Sequence, residues 1–260
     1  MKRQCFFLFC LLAGMGTVLA ATPLLVGHRG SDLGVENTAP AFRAGALVRG
    51  YDGLECDVRV TADGHYVISH DETTTRLGGD LTVAQATLAQ LRAETYTQTR
   101  RGVTYTGHLC TVEEFLDICV SLDVFPIIEL KWSTGINNND MSRFDGLARL
   151  VTDKGLAGKA VFLTSMKRSL EHIRTHYPHF KCQWLCNDNW RENVEWCDRW
   201  RLNPSIRHGC FDAETVRRFA GLGLECAVWT VDDPDTGAHC AAMGVAVITT
   251  NALWPAVLTP

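Results

Sequence analysis

The sequence predicts a single-domain (β/α)₈ TIM barrel. Short β-branched runs alternate with amphipathic helical stretches from Leu24 onwards, without a break in composition. The eight or nine strands favour a closed barrel over an open sheet, and no Gly-x-Gly-x-x-Gly or Walker motif opens a helix. A content of 46% hydrophobic and 21% charged residues is typical of a globular chain and excludes a disordered one.

The strands are predicted from short apolar runs bounded by turn residues. They cover residues 24–28, 53–58, 66–70, 124–130, 160–164, 181–185, 205–210, 226–230 and 245–249. Asp63-Gly64 is a tight-turn signal between two of these runs. We therefore interpret residues 66–70 in part as an antiparallel hairpin arm near the barrel mouth, which explains the ninth strand.

The helices are predicted from apolar positions that recur with helical spacing. They cover residues 39–48, 83–92, 112–121, 140–153, 168–176, 190–200, 213–221 and 234–242. Thr82-x-x-Gln85 and Thr111-x-x-Glu114 predict capping boxes at two helix starts. Gly50, Gly155, Gly223 and Gly244 stand where helices are expected to end.

The first twenty residues have the pattern of a signal peptide. Lys2 and Arg3 precede an apolar run, and Val18-Leu19-Ala20 fits the small-x-small rule for cleavage. The run is too short to span a bilayer, which needs roughly 20 apolar residues. We expect residues 1–20 to be removed, residues 21–260 to form the domain, and the protein to be periplasmic or secreted.

Export changes what the cysteines can do. Removal of Cys5 and Cys10 from the 11 cysteines leaves an odd number, so in an oxidising compartment we expect some to pair and at least one to stay free or bond another chain.

The formal net charge of −4 argues against a nucleic-acid partner, because that role needs a concentrated basic surface. The expected partner is a small molecule, with no stable membrane span and with an oligomeric state that the sequence leaves open.

Three carboxylates are expected inside the barrel mouth. In such barrels function lies at the C-terminal ends of the strands. Because side chains alternate along a strand, Glu55 and Asp57 share one face, and Glu129 faces inward by the same rule. Inward carboxylates repel unless a cation binds among them, and oxygen ligands select a hard ion, for which we favour Ca²⁺ over Mg²⁺. The alternative is an exposed strand edge or an ion pair with an arginine.

Two histidines flank this cluster. His28 and His70 each end a predicted strand and could remove and donate a proton near neutral pH. Arg29 and Lys131 are suited to holding a phosphate, Arg as a fork and Lys as a point charge. Asp71, beside His70, is consistent with a simple turn residue.

The motifs resemble one family along nearly the whole mature chain. They are Gly-His28-Arg29-Gly, Glu36-Asn37-Thr38, Ala41-Phe42, Glu55-x-Asp57-Val-x-x-Thr61-x-Asp63-Gly64, His70-Asp71, Arg76, Thr111-x-Glu113-Glu114, Glu129-x-Lys131 and Trp229-Thr230. This set is similar to that of the glycerophosphodiester phosphodiesterases, which are TIM barrels with a divalent metal at the mouth.

The resemblance implies a role for each matching residue. His28 and His70 would be the catalytic histidines, and Glu55, Asp57 and Glu129 the metal ligands. Arg29 and Lys131 would contact phosphate, with Trp229 as an aromatic near the substrate. The implied reaction cleaves glycerophosphodiesters such as glycerophosphocholine to glycerol 3-phosphate and an alcohol.

Two features depart from the family pattern. The last strand ends in Thr250-Asn251, where the family usually has Thr-Asp. The segment between His70 and Glu129 has no room for a large inserted cap, so we expect an open mouth and a loosely specified alcohol.

Two other functions stay open. A phospholipase- or lyase-type enzyme of similar fold would act on lipids and stop at a cyclic phosphate. A non-catalytic binding barrel is the third hypothesis, although the chain retains both histidines and all three carboxylates.

Overall fold

Eight parallel strands close into a barrel in the computed structural model, which describes residues 22–257. The barrel strands are β1 (Leu24–Gly27), β2 (Gly53–Val60), β6 (Phe125–Leu130), β7 (Val161–Thr164), β8 (Lys181–Cys186), β9 (Asn203–Arg207), β10 (Ala227–Trp229) and β11 (Val247–Thr250). Each pairs in parallel with its neighbours, and β1 closes the ring between β11 and β2. The predicted (β/α)₈ barrel is confirmed.

Three further strands lie outside the ring. Strand β3 (Tyr66–Ile68) pairs antiparallel with β2, as the Asp63-Gly64 turn predicts. Strands β4 (Tyr96–Arg100) and β5 (Val103–Gly107) form a separate antiparallel hairpin that the sequence analysis missed. This small hairpin occupies part of the segment between His70 and Glu129, where no large cap was expected.

Eight α-helices surround the barrel within the described residues. They are α1 (Ala39–Ala44), α2 (Leu88–Ala93), α3 (Val112–Leu122), α4 (Phe144–Asp153), α5 (Lys167–His176), α6 (Val194–Trp200), α7 (Ala213–Gly221) and α8 (Pro234–Ala242). A π-helical turn continues α1 over Gly45–Arg49. Short 3₁₀ turns cover Thr75–Leu77, Val83–Gln85, Asn189–Asn193 and Pro255–Val257. None of these helices is long and apolar enough to cross a membrane.

The two predicted capping boxes have different outcomes. Thr111 and Glu114 form the expected reciprocal pair at the start of α3. The prediction at Thr82 is wrong, because residues Val83–Gln85 form only one 3₁₀ turn and Thr82 makes no side-chain cap. The chain then extends through Ala86, and Thr87 with Gln90 forms the capping box of α2.

The alternation of side chains along the strands divides the barrel interior into two zones. Val26, Ile127 and Val247 belong to a buried apolar cluster that fills the interior. Ile127 and Glu129 lie two residues apart on β6 and so share a face, which places the carboxylate one step closer to the C-terminal edge. The apolar layer thus fills the barrel on the N-terminal side of the carboxylates, and the ionisable side chains lie at the mouth.

All nine described cysteines are free. The expectation that some of them pair is therefore wrong for this structure. Eight of them are buried in the core; Cys182 and Cys186 lie on β8, and Cys110 and Cys226 lie in connecting segments. Burial also raises the pKa of these thiols, that of Cys197 to about 12, so little reactive thiolate forms at neutral pH.

Candidate active site

The three predicted carboxylates meet at the mouth of the barrel. Oxygen atoms of Glu55, Asp57 and Glu129 lie within 4.8 Å of one another. The strand register brings them together, because Asp57 on β2 stands opposite Glu129 on β6, and Glu55 lies two residues earlier on the same face. Glu55 and Asp57 are buried. The alternative of an exposed strand edge is excluded.

Asp57 is the most heavily paired of the three. Asn37 Nδ2 donates a hydrogen bond of 2.7 Å to its Oδ2, and Arg29 Nε lies 3.4 Å from the same oxygen. Lys131 Nζ lies 3.1 Å from Oδ1. Burial alone would raise the pKa of Asp57, but the charges of Lys131 and Arg29 outweigh it and hold the pKa at about 2. Asp57 is therefore ionised throughout the physiological range.

Glu55 and Glu129 respond in the opposite direction. Burial and the charge of Asp57 raise the pKa of Glu55 well above its ordinary value and that of Glu129 to about 7. The buried Oε1 of Glu55 accepts no hydrogen bond from any described residue. An oxygen-only set with an unsatisfied buried acceptor fits a hard divalent cation, which would stabilise the ionised forms of all three carboxylates.

Arg29 and Lys131 lie against these carboxylates. Lys131 Nζ is 2.5 Å from Glu129 Oε1, in addition to its contact with Asp57. Arg29 Nη1 donates a 2.8 Å hydrogen bond to Glu36 Oε1. Both predicted phosphate contacts therefore lie at the acidic cluster. They also form ion pairs with its carboxylates, which was the alternative interpretation of the cluster. Three carboxylates still share two basic side chains, so these ion pairs alone do not explain the cluster.

The loop after β1 holds an unusual backbone. Arg29 and Asn37 adopt positive φ angles of 52° and 58°. Asn37 tolerates this left-handed conformation, whereas for Arg29 it costs about 1 kcal/mol or more. Two hydrogen bonds offset the cost: Arg29 N donates to Glu55 Oε2 over 2.8 Å, and Asn37 N donates to Arg29 O over 2.9 Å. The strained turn thereby directs both side chains toward Asp57.

His28 stands at the end of β1. Its Nδ1 lies 3.0 Å from Asn251 Oδ1, on the residue that follows β11. Burial and, secondarily, the charge of Arg29 lower the pKa of His28 to about 4. His28 is therefore neutral near pH 7, the state that a general base requires.

His70 has a carboxylate partner. Its Nδ1 lies 2.7 Å from Asp71 Oδ1, and Arg76 Nε donates to the other oxygen of Asp71 over 2.6 Å. Burial lowers the pKa of His70, while nearby Asp57 and Asp71 oppose that shift. The interpretation of Asp71 as a simple turn residue is wrong, since its carboxylate orients the imidazole.

Glu36 joins the loop after β1 to the outer hairpin. This buried carboxylate accepts hydrogen bonds from three arginines and one glutamine, namely Arg29, Arg76, Arg100 and Gln98. Their hydrogen bonds and charges lower the pKa of Glu36 despite its burial. Glu36 and Arg76 are present in the motifs of the resemblance, whereas Gln98 and Arg100 were missed. The signal that could have found them is the run of Tyr, Thr and Val residues on both sides of Arg101-Gly102, which is typical of a hairpin.

Trp229 lies at the end of β10, half-buried. Its indole Nε1 donates a 3.0 Å hydrogen bond to the backbone oxygen of Ser205 on β9. The structure records no hydrogen bond between this indole and the acidic cluster among the described residues. Its role as an aromatic near the substrate stays a prediction.

The fold and the site together define a class of protein: a barrel with a buried acidic cluster, two histidines and two basic side chains at one mouth, suited to phosphate-ester chemistry. The sequence model of the Glycerophosphoryl diester phosphodiesterase family matches residues 28–253. The chain belongs to this family, as the motifs predicted, and the family generally uses a divalent metal.

Known proteins agree with this assignment. A "Glycerophosphodiester phosphodiesterase" of Caldanaerobacter subterraneus is 26% identical over 234 residues, 88% of this chain and 93% of that protein. A "Probable glycerophosphodiester phosphodiesterase 1" of Mycobacterium tuberculosis is 47% identical over 81 residues; the match spans only 29% of that protein and 30% of this chain.

Solved structures share the fold. An Oleispira antarctica phosphodiesterase, solved with its product sn-glycerol-3-phosphate, has a TM-score of 0.75 and 18% identity, over 91% of this chain and 95% of that one. A Thermotoga maritima glycerophosphodiester phosphodiesterase has a TM-score of 0.69 and 23% identity, over 91% and 96%.

The substitution Asp57→Asn tests whether the acidic cluster holds a cation. It keeps the shape of the side chain and removes one charge, so we expect the affinity for Ca²⁺ or Mg²⁺ to fall by more than about tenfold. Isothermal titration calorimetry measures this directly. Asp153→Asn, the same change on the exposed end of α4, is the matched control and should bind as the wild type does. Equal affinities in the two variants would exclude the cluster as the binding site.

Proposed function

We propose that this protein hydrolyses glycerophosphodiesters to glycerol 3-phosphate and an alcohol. The observation that carries the proposal is the meeting of a buried acidic cluster, two histidines and two basic side chains at one barrel mouth in a member of this family. The product bound to the structurally similar Oleispira protein supports glycerol 3-phosphate as the product here.

Glu55, Asp57 and Glu129 would hold one divalent cation. When bound, such an ion polarises a phosphoryl oxygen and stabilises the charge that develops in the transition state. We favour Ca²⁺ over Mg²⁺, because irregular carboxylate sites suit the larger ion and exported compartments offer more of it. Lys131 and Arg29 already lie against these carboxylates, so the same basic groups are placed to contact the phosphate oxygens.

His28 and His70 divide the proton transfers. Neutral His28 takes the proton from the attacking hydroxyl, which belongs to water or to the glycerol moiety. A new P–O bond forms as the P–O bond to the alcohol breaks, and His70 in its protonated form gives its proton to the departing oxygen. Attack by water gives glycerol 3-phosphate directly. Attack by the glycerol hydroxyl gives a cyclic phosphate, which a water then opens: His70 takes the proton of that water, and His28 returns its proton to the ring oxygen that departs. Asp71 favours this role, because a carboxylate at Nδ1 stabilises the charged imidazolium and opposes the lowering of the His70 pKa by burial.

A polar groove beside the site has room for the alcohol. Its volume is about 840 Å³, and its lining includes Trp132, Ser165, Lys167 and Asn187. Arg59 connects the groove to the catalytic histidine, because its guanidinium donates hydrogen bonds to the backbone oxygens of Trp132 in the groove lining and of His70. We place the alcohol in this open groove, which agrees with a loosely specified leaving group.

The direct test is product analysis by ³¹P NMR with glycerophosphocholine and glycerophosphoglycerol as substrates. We expect glycerol 3-phosphate from both, no product after exhaustive chelation, and recovery when Ca²⁺ is restored. A cyclic phosphate as the final product would favour the lyase-type alternative. Cation binding without turnover of either substrate would favour the non-catalytic barrel.

The acid/base roles are tested by His28→Ala and His70→Ala. Loss of a positioned proton-transfer group costs about 10²–10⁴ in rate, so each variant should lose kcat by that order with little change in stability. A substrate with a good leaving group should rescue His70→Ala and not His28→Ala. His239→Ala on the exposed face of α8 is the control. Near wild-type turnover in either variant, or equal rescue of both, would contradict the assignment.

We also propose that the protein is exported, with cleavage after Ala20. The proposal rests on the basic start, the apolar run and the small-x-small site, which lie outside the described residues. N-terminal sequencing of the protein from its native host should find Ala21 first. A cytoplasmic protein that retains Met1 would contradict export.

A further inference from the structure

A chain of hydrogen bonds runs from His28 to an exposed carboxylate. His28 Nδ1 lies 3.0 Å from Asn251 Oδ1. Asn251 in turn donates its Nδ2 to Asp232 Oδ2 over 2.8 Å and its backbone N to Asp232 Oδ1 over 2.7 Å. The side chain of Thr250 also donates to Asp232, over 3.0 Å. Asp232 is therefore surrounded by donors on the side that faces the barrel.

The backbone fixes this arrangement. Strands β1 and β11 pair in register, with Gly27 opposite Thr250, and His28 N donates to Thr250 O over 2.8 Å. Asn251 is thus held beside the imidazole by the barrel itself. The backbone does not fix the orientation of the Asn251 amide, which could present either its oxygen or its nitrogen to His28.

Asp232 removes that freedom. An ionised carboxylate only accepts hydrogen bonds, so the amide nitrogen of Asn251 must face it and the amide oxygen must face His28. An amide oxygen also only accepts, so the proton of neutral His28 must sit on Nδ1. The basic lone pair is then on Nε2, the ring nitrogen that Asn251 leaves free.

We propose that Asp232 is a positioning residue, which sets the tautomer of His28 through the amide of Asn251. The inference rests on the proposed hydrolysis for its role: it leaves Nε2 as the nitrogen that takes the proton from the attacking hydroxyl. An aspartate at position 251 would need no such helper, because a carboxylate can only accept from Nδ1. Asparagine at 251 makes a second residue necessary, and Asp232 is the residue that contacts it.

The substitution Asp232→Ala separates the amide from its partner. The Asn251 side chain is then free to rotate, and His28 should become a mixture of both tautomers. We expect kcat to fall about tenfold, less than the loss of a proton-transfer group itself costs, and KM to stay unchanged because the proposed role of Asp232 is to act through Asn251 and not on the substrate. Asp235→Ala, on the exposed start of α8 nearby, is the control and should change neither constant.

The double variant Asn251→Asp/Asp232→Asn exchanges the carboxylate and the amide. A carboxylate at 251 accepts from His28 Nδ1 and from the amide now at 232, so the same tautomer is specified. We expect kcat to return to within about threefold of the wild type. A purely structural role for Asp232 predicts no such rescue. The double variant also tests the proposal should Asp232→Ala fail to fold.

The decisive readout is the ring ¹⁵N NMR spectrum of His28, assigned with His28→Gln, in the protein saturated with diamagnetic Ca²⁺. We expect the Nδ1-protonated form in the wild type and in the double variant, and both forms in Asp232→Ala. An Nε2-protonated ring in the wild type, or spectra and kcat unchanged in Asp232→Ala, would overturn the inference. The spectra do not depend on turnover, so they test Asp232 even if the proposed hydrolysis fails.

Discussion

The burial of Asp57 among other carboxylates is the constraint on which the rest of the site depends. Removing a carboxylate from water costs several kcal/mol unless ion pairs and hydrogen bonds compensate for the loss. Arg29, Asn37 and Lys131 supply that compensation at one end of the barrel. The strained loop after β1 places Arg29 and Asn37 beside Asp57. The proposed divalent cation would complete the compensation for Glu55 and Glu129, whose pKa values burial and the charge of Asp57 raise.

The same groups serve stability and the proposed chemistry. Because removing one partner of a buried ion pair typically costs about 3–5 kcal/mol, substitutions at Arg29 or Lys131 should affect the fold as well as phosphate binding. Arg29 in turn depends on Glu36, which accepts a hydrogen bond from it. Glu36 is itself held by hydrogen bonds from Arg76 and from Arg100 on the β4–β5 hairpin. The two histidines lie at the rim of this network, each oriented by a neighbouring polar side chain.

Much of the fold and of the candidate site could be predicted from the sequence, because both depend on local patterns. Alternation along a strand was enough to place Glu55 and Asp57 on one face, and the barrel rule brought Glu129 to them. The β4–β5 hairpin was missed because few of its side chains are buried and many are threonines, so the alternating apolar positions Val103 and Tyr105 give only a weak strand signal. The contact between His28 and Asn251 joins residues at opposite ends of the chain, so no local pattern indicates it. The thiols were expected to pair because the signal-peptide pattern indicates an oxidising compartment, but that pattern says nothing of the distances between the thiols.

A crystal structure of the protein soaked in Mn²⁺ tests the central claim most directly. Mn²⁺ prefers the same oxygen ligands as Ca²⁺ and Mg²⁺ and can be located by its anomalous scattering. We predict one strong anomalous peak in contact with oxygens of Glu55, Asp57 and Glu129, with Lys131 Nζ moved away from Glu129. An acidic cluster without a peak, still neutralised by Lys131 and Arg29 alone, would contradict the account.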